Sequence, residues 1–225
     1  MEPEHAPLKD DRGNRLIADA AKVFLTFGIK SVTMDDLATR LGISKKTLYQ
    51  YVKDKNDLVE KVLAQVTEQF TCAIDEVVGA GKNAIDTQYD IMVQVGTRTK
   101  GFHSSIHFDL EKYHPEAFRR MTEYRRGRIY SNAVANMEKG IREGLYREDL
   151  NIPMIASMYT ARFTMILGGD EFPRDRFSIP QLHWEAFRYH IRGIASAKGL
   201  KYLIKKEEKA VLEGRTTPNT PTQEP

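Results

Sequence analysis

Apolar residues recur at intervals of three and four through most of this chain, the spacing of helices that each bury one face. From Arg12 to Phe27 the series Leu16, Ile17, Ala20, Val23, Phe24 and Phe27 predicts an amphipathic helix that Gly28 ends. Thr33 is an N-cap candidate with Asp36 three residues on, an approximate capping box for a second helix. Leu37, Ala38 and Leu41 give that helix one apolar face, and Gly42 supplies the sharp turn that stops it. Ile43 then fills the angle, Ser44 caps a third helix, and Leu48 and Val52 point inward from it. Lys45, Lys46, Tyr49, Gln50 and Lys53 are left facing out. A short helix with a basic, amide-bearing and aromatic exposed face suits a DNA major groove, so Thr33 to Tyr51 reads as a helix-turn-helix.

The pattern stays helical downstream. Asp54 caps a fourth helix that carries Leu58, Val62, Val66, Phe70, Ile74 and Val77 to about Val78. A fifth runs from Asn83 to about Thr99, a sixth from Phe102 to Lys112, and a seventh from Pro115 to about Glu143. Asn151 and Pro153 open an eighth, with Ile155, Met158, Tyr159, Phe163, Ile166 and Leu167 available for burial, closed by Gly168 and Gly169. Pro180 opens a ninth, Gln181 to about Ala197, with Leu182, Ala186, Tyr189 and Ile194 on related faces. No alternating strand pattern interrupts them. The expectation is an all-α protein of nine helices. A small three-helix helix-turn-helix head (1–53) would precede a larger helical-bundle body (54–203) and a disordered tail (204–225), with residues 1–10 a loose arm.

Composition narrows the functional classes. Over 225 residues, 41% hydrophobic and 29% charged residues are ordinary for a globular protein, and a net charge of +3 excludes a polycation. Basic charge is local instead. Between Arg40 and Lys55 five basic residues face one acid, Asp54, as phosphate contacts would require. One cysteine, Cys72, allows no intrachain disulfide and fits a reducing cytosol. No signal peptide or membrane span is visible, so a cytoplasmic protein without a membrane partner is expected. There is no Gly-rich phosphate loop and no nucleophile with a neighbouring base. No enzyme activity, catalytic residue or cofactor is therefore expected.

Element order and residues together resemble the TetR-like family of bacterial one-component regulators. The resemblance rests on Arg12 to Leu63: Phe27 and Gly28, Thr33, and the block LGISKKTLYQYVKDKNDL with the lysine that opens the fourth helix. The segment IRGIASAKGLK, Ile191 to Lys201, is similar to a common ending of the family's C-terminal domain. The resemblance implies DNA contacts from Thr33, Ser44, Lys45, Lys46, Tyr49, Gln50, Tyr51 and Lys55, with Thr47 in the same helix. Thr33 and Ser44 sit at helix N-termini, where hydroxyl and free N–H groups suit a phosphate. Tyr49 and Tyr51 suit the backbone and Lys55 a flanking phosphate. Lys45, Lys46 and Gln50 suit base edges, lysine toward guanine and glutamine toward adenine. Three positions depart from the usual pattern: Lys46 for a small residue, Gln50 for an aromatic and Val52 for a phenylalanine. The first two change base preference, so no operator sequence carries over.

The resemblance also implies a homodimer, operator DNA and a small-molecule effector bound between the helices after Asp54. Candidate pocket residues are Met92, Phe102, His103, His107, Phe108, Tyr113, Met121, Tyr124, Met137 and Phe163. Candidate dimer residues are Met158, Met165, Trp184, Phe187 and Ile191, although the same stripe could be core. His103, His107 and Glu111, spaced by four, could instead hold a metal, which would make a metal-responsive regulator; the alternative is a polar face. Arg119, Arg120, Arg125, Arg126 and Arg128 spread around their helix and are expected to be solvated, with Glu123 as a local partner. A repressor released by an apolar or amphipathic ligand is the leading expectation, and a constitutive DNA-binding protein with no effector is the other.

Overall fold

Helix ends in this protein are set by side chains that satisfy free backbone groups. The computed structural model describes residues 11–100, 102–103, 105–168, 172 and 176–212. The expected loose arm (1–10), Gly169 and the end of the tail lie outside the described residues. Among those described, ten helices and no strand occur: α1 Asp11–Phe27, α2 Met34–Arg40, α3 Lys45–Tyr51, α4 Lys55–Gly79, α5 Ala84–Thr99, α6 Ile106–Tyr113, α7 Pro115–Arg142, α8 Ile152–Gly168, α9 Ile179–Ile194 and α10 Ala197–Leu212.

The tenth helix is a correction. Periodicity merges the end of α9 with the residues after it, and the expected tail from 204 begins inside α10. The break is made by polar groups that carry no periodic signal. Ser196 N–H donates to the Leu145 carbonyl (2.9 Å), and its hydroxyl donates to the Gly144 carbonyl (2.7 Å) while accepting from Gly199 N–H (3.1 Å). Ser196 thus leaves α9 and caps α10, and an isolated antiparallel bridge joins Tyr146 to Ala195. The sixth helix also starts later than periodicity predicts, at Ile106.

The chain divides into two compact units. The first comprises residues up to Thr71 together with Gly101–Glu123, and the second Cys72–Lys100 with the chain from Tyr124 onward. This differs from a boundary at residue 53, because α6 folds with the helix-turn-helix. The first unit closes over Phe24, Leu37, Leu48, Val52 and Leu58, with Leu110 of α6 in the same core. His103 N–H donates to the Leu25 carbonyl (2.7 Å). Asp109, 4% exposed, accepts from the backbone N–H of Ile29 and Lys30 (2.9 Å each) and from the Ser105 hydroxyl (3.1 Å). These are the N–H groups left over where α1 ends, at Gly28 with φ of 83°, a value that favours glycine.

In the second unit, α5 and α9 pack with α8 over a core that includes Ile85, Met92, Met137, Tyr159, Phe163, Trp184, Phe187 and Ile191. Tyr146 donates to Asn136 (3.0 Å), whose amide donates to the Ala84 carbonyl (3.0 Å), so the start of α5 is held by a buried polar chain. The ring of His190 lies 4.5 Å from that of Tyr159. Burial, then the nearby Arg162 charge, push the His190 imidazole from 6.5 down to about 3. The folded state therefore keeps this ring neutral where the unfolded chain would protonate it. Its contribution is complete above about pH 6.5 and falls away as pH drops toward 3, by at most on the order of 1 kcal/mol per pH unit. Urea midpoints at pH 7.5 and 5.0 should show a smaller loss for His190→Phe than for wild type; equal losses would assign the acid sensitivity elsewhere.

Candidate nucleic-acid interface

The two short helices α2 and α3 owe their position to capping and to one apolar face each. Thr33 Oγ1 accepts from Asp36 N–H (3.1 Å), and the Asp36 carboxylate accepts from Thr33 N–H (3.0 Å), a complete capping box. The Thr33 hydroxyl, which donates to the Asp36 carboxylate (2.6 Å), and then the Thr33 N–H hold that carboxyl below its usual range. Gly42 takes φ of 66° in the turn, and Ile43 N–H reaches back to the Ala38 carbonyl (3.0 Å). Ser44 then caps α3 by accepting from Thr47 N–H (3.0 Å). Leu48 and Val52 are buried, so valine here fills its place in the head core.

Burying Leu48 fixes the opposite face. Lys45, Lys46, Tyr49 and Gln50 are exposed on α3, with Thr47 and Tyr51 half-buried at its sides. Lys45 pairs with Asp35 across the turn (2.7 Å), both side chains solvated. Lys61 donates to the Tyr51 carbonyl (2.7 Å), tying the last turn of α3 to α4. Asp54 and Asp57 organise the start of α4, accepting from Asp57 N–H (2.9 Å) and Lys53 N–H (2.8 Å). Lys55, half-buried there, donates to the Lys30 carbonyl (3.4 Å), and burial lowers its pKa. Thr33, Ser44, Lys45, Lys46, Thr47, Tyr49, Gln50, Tyr51 and Lys55 all belong to α2, α3 and the start of α4. Arg40 adds a cation stacked 4.1 Å over the Phe27 ring.

The other candidates divide. Phe102, His103, His107, Phe108, Tyr113 and Met121 belong to the first unit, and Met92, Tyr124, Met137 and Phe163 to the second. Phe108, Tyr113 and Tyr124 are exposed, whereas Met92, Met137 and Phe163 are core. Trp184, Phe187 and Ile191, expected at a dimer interface or in the core, are buried in the core of the second unit, whereas Met158 and Met165 are exposed. His103 precedes α6, so its spacing to His107 is not a helical one. His103 bonds Ser105 (2.9 Å) and His107 stands edge-on to Phe118 (4.7 Å). No group of three or more His, Cys, Asp and Glu placed to hold a metal ion occurs among the described residues. Of the arginines, Arg119 pairs with Glu116 and Glu123, Arg120 with Glu60 and Arg128 with Asp75. Arg125 is half-buried, and burial lowers its pKa.

Two residues escaped sequence reasoning, each a charge inside an apolar stripe. Asp109 lies with Ile106, Leu110 and Tyr113 at helical spacing, and Arg162 with Ile155, Tyr159, Phe163 and Ile166. A lone charge on an apolar face is the signal that could have found them.

A capped helix pair with a glycine turn and a basic outer face on its second helix has the geometry of a DNA-binding helix-turn-helix. Residues 16–62 match the family model described as bacterial regulatory proteins, tetR family. The transcriptional activator FasR of Mycolicibacterium smegmatis is 29% identical over 105 residues, 47% of this chain, and the chain spans only 45% of its length. The transcriptional repressor KstR2 of the same organism is 24% identical over 169 residues, 69% of this chain and 77% of that protein. A transcriptional regulator from Cytophaga hutchinsonii shares the fold, with TM-score 0.65 and 18% identity over 83% of this chain and 100% of its own. Over residues 16–62 the chain is similar to the TetR-like family of bacterial transcriptional regulators, and the solved structures share its fold. Its relatives are regulators and not enzymes, and no described helix is long and apolar enough to cross a membrane.

Proposed function

We propose that the chain is a homodimeric repressor that leaves its DNA operator when a small apolar or amphipathic ligand binds. The observation that carries the DNA reading is the exposed α3 face of Lys45, Lys46, Tyr49 and Gln50 on a helix whose other side is locked by Leu48. Lys45, Lys46 and Gln50 read base edges, while Thr33, Ser44, Thr47, Tyr49, Tyr51 and Lys55 hold phosphates. Repression is favoured over activation because the repressor KstR2 matches over far more of its length than the activator FasR. Such a protein works in the cytoplasm, beside the DNA.

A second copy is the natural cover for α8. Met154 (60% exposed), Met158 (67%) and Met165 fall on one face of it, beside the stripe of half-buried Ile155 with buried Tyr159 and Ile166, and Tyr189 of α9 is 86% exposed. Two recognition helices then reach half-sites about 34 Å apart. The ligand acts by binding better to the dimer state whose helices are wrongly spaced; a hundredfold release needs about 2.7 kcal/mol of coupling.

Binding of the full chain to its own upstream DNA, titrated at 50 and 200 mM salt, tests the reading. Tight, salt-steep binding is expected, with about a thirtyfold loss in the Lys45→Ala/Tyr49→Ala double variant. Binding to no sequence in a random oligonucleotide selection, or a variant that binds as wild type does, would sink it.

A further inference from the structure

The core of the second unit contains N–H donors with nothing to donate to. Arg162 of α8 is partly buried, and one of its terminal nitrogens donates to the Ala186 carbonyl of α9. Its guanidinium lies 4.5 Å over the Tyr159 ring and 5.6 Å from that of Phe163. The remaining edge, Nε and Nη2, is buried without a hydrogen-bond partner, and so is Nε1 of Trp184 on α9. No carboxylate among the described residues pairs with Arg162. Burial lowers its pKa, yet a guanidinium stays charged. A half-buried guanidinium with no carboxylate beside it is costly, and unsatisfied buried donors are rare enough to call for a cause.

The chemistry of the gap is specific. The open groups of Arg162 and of Trp184 are all donors, so a partner for the Arg162 edge brings acceptor atoms. Nε and Nη2 form the edge of a guanidinium that meets two oxygens of one carboxylate or phosphate in parallel bonds. The surroundings are apolar and aromatic (Tyr159, Phe163, Trp184, Phe187), with Gln88 already taken by the Tyr159 hydroxyl at 3.2 Å. His190, held neutral, offers no competing charge. We propose that Arg162 is the anion-reading residue of an effector site within the α5–α8–α9 core, and that the effector is an oxyanion, carboxylate or phosphate, on an apolar body. The atoms face inward, out of solvent, which favours a ligand over the acidic side chain of a second copy. This inference deepens the effector reading above and rests on it.

The test titrates the full chain with decanoate, decyl phosphate and 1-decanol, followed by calorimetry and by the fluorescence of Trp184, the only tryptophan. One of the two anions should bind saturably at least tenfold more tightly than the alcohol, and the better of them identifies the head group. Arg162→Met should abolish that preference, and Arg162→Lys, which keeps the charge without the fork, should retain part of it; circular dichroism confirms that each is folded. Equal binding of anion and alcohol, no saturable anion binding, or an Arg162→Met that keeps the preference would overturn the proposal. An Arg162→Met that shifts dimer to monomer while binding decanoate as before would assign the fork to a second copy and overturn it equally. Operator binding by wild type in the same titrations separates the two readings: anion binding without release of DNA leaves this site standing and removes the effector mechanism, while DNA binding without anion binding does the reverse.

Discussion

Asp109→Ala should cost the first unit about 4 kcal/mol and weaken whatever the helix-turn-helix binds. The carboxylate accepts from two backbone N–H groups, Ile29 and Lys30, and from Ser105. Hydrogen bonds to a charged group contribute roughly 1.5–3 kcal/mol each, and truncation leaves both donors without a partner. Neither water nor a neighbour replaces them easily, because Ile29 is 4% exposed and Gly28 is pressed against Ser105, whose hydroxyl would lie 2.8 Å from an added Cβ. The turn they close runs into Val32 and the Thr33 cap, so its loosening reaches the start of α2. Asp109→Asn keeps an acceptor of the same shape and should lose only about 1–2 kcal/mol. Urea denaturation at one fixed protein concentration measures both. A loss below about 1 kcal/mol for the alanine variant would show that α6 does not hold the α1–α2 turn.

That α6 belongs with the first unit was not legible in the sequence, and the reason is physical. Periodicity reports which face of a helix is apolar and is silent about which partner covers it. The helix-turn-helix was legible because it is decided locally: Thr33 and Asp36 sit three residues apart, Gly42 has to turn, and Ser44 caps the helix it precedes. The outward face of α3 follows from Leu48 alone. Long-range decisions were hidden. Asp109 binds residues 79 and 80 positions away, and Ser196 ends α9 through a carbonyl 52 positions earlier. In α8, apolar residues occupy two faces, Ile155, Tyr159 and Ile166 inward and Met154, Met158 and Met165 outward, so spacing could not assign either. The same ambiguity left Trp184, Phe187 and Ile191 between an interface and the core that they fill.

The Ser196 junction makes the second large effect, expected of a substitution that helix propensity alone would favour. Replacing glycine by alanine within a helix ordinarily gains up to about 1 kcal/mol. Gly127, in the middle of α7, is exposed, and an added Cβ there meets nothing within 4 Å, so Gly127→Ala should stabilise by about that amount. Gly199, in the first turn of α10, is buried, and its Cβ would lie 1.9 Å from the Leu145 carbonyl oxygen and 2.9 Å from the carbonyl carbon. Both are backbone atoms, so no rotamer change relieves the overlap. That same carbonyl accepts from Ser196 N–H, and moving it breaks the bond that ends α9. Displacing α10 would also pull Leu203, 1% exposed, from the core. Gly199→Ala should therefore cost more than about 3 kcal/mol, the upper end for overpacking, since the strain falls on backbone. Opposite signs for the two variants in thermal melts would place the stability of the second unit in the close approach of α10 to the Gly144–Tyr146 turn. A neutral Gly199→Ala would mean that α10 detaches at little cost, and that the core is complete without it.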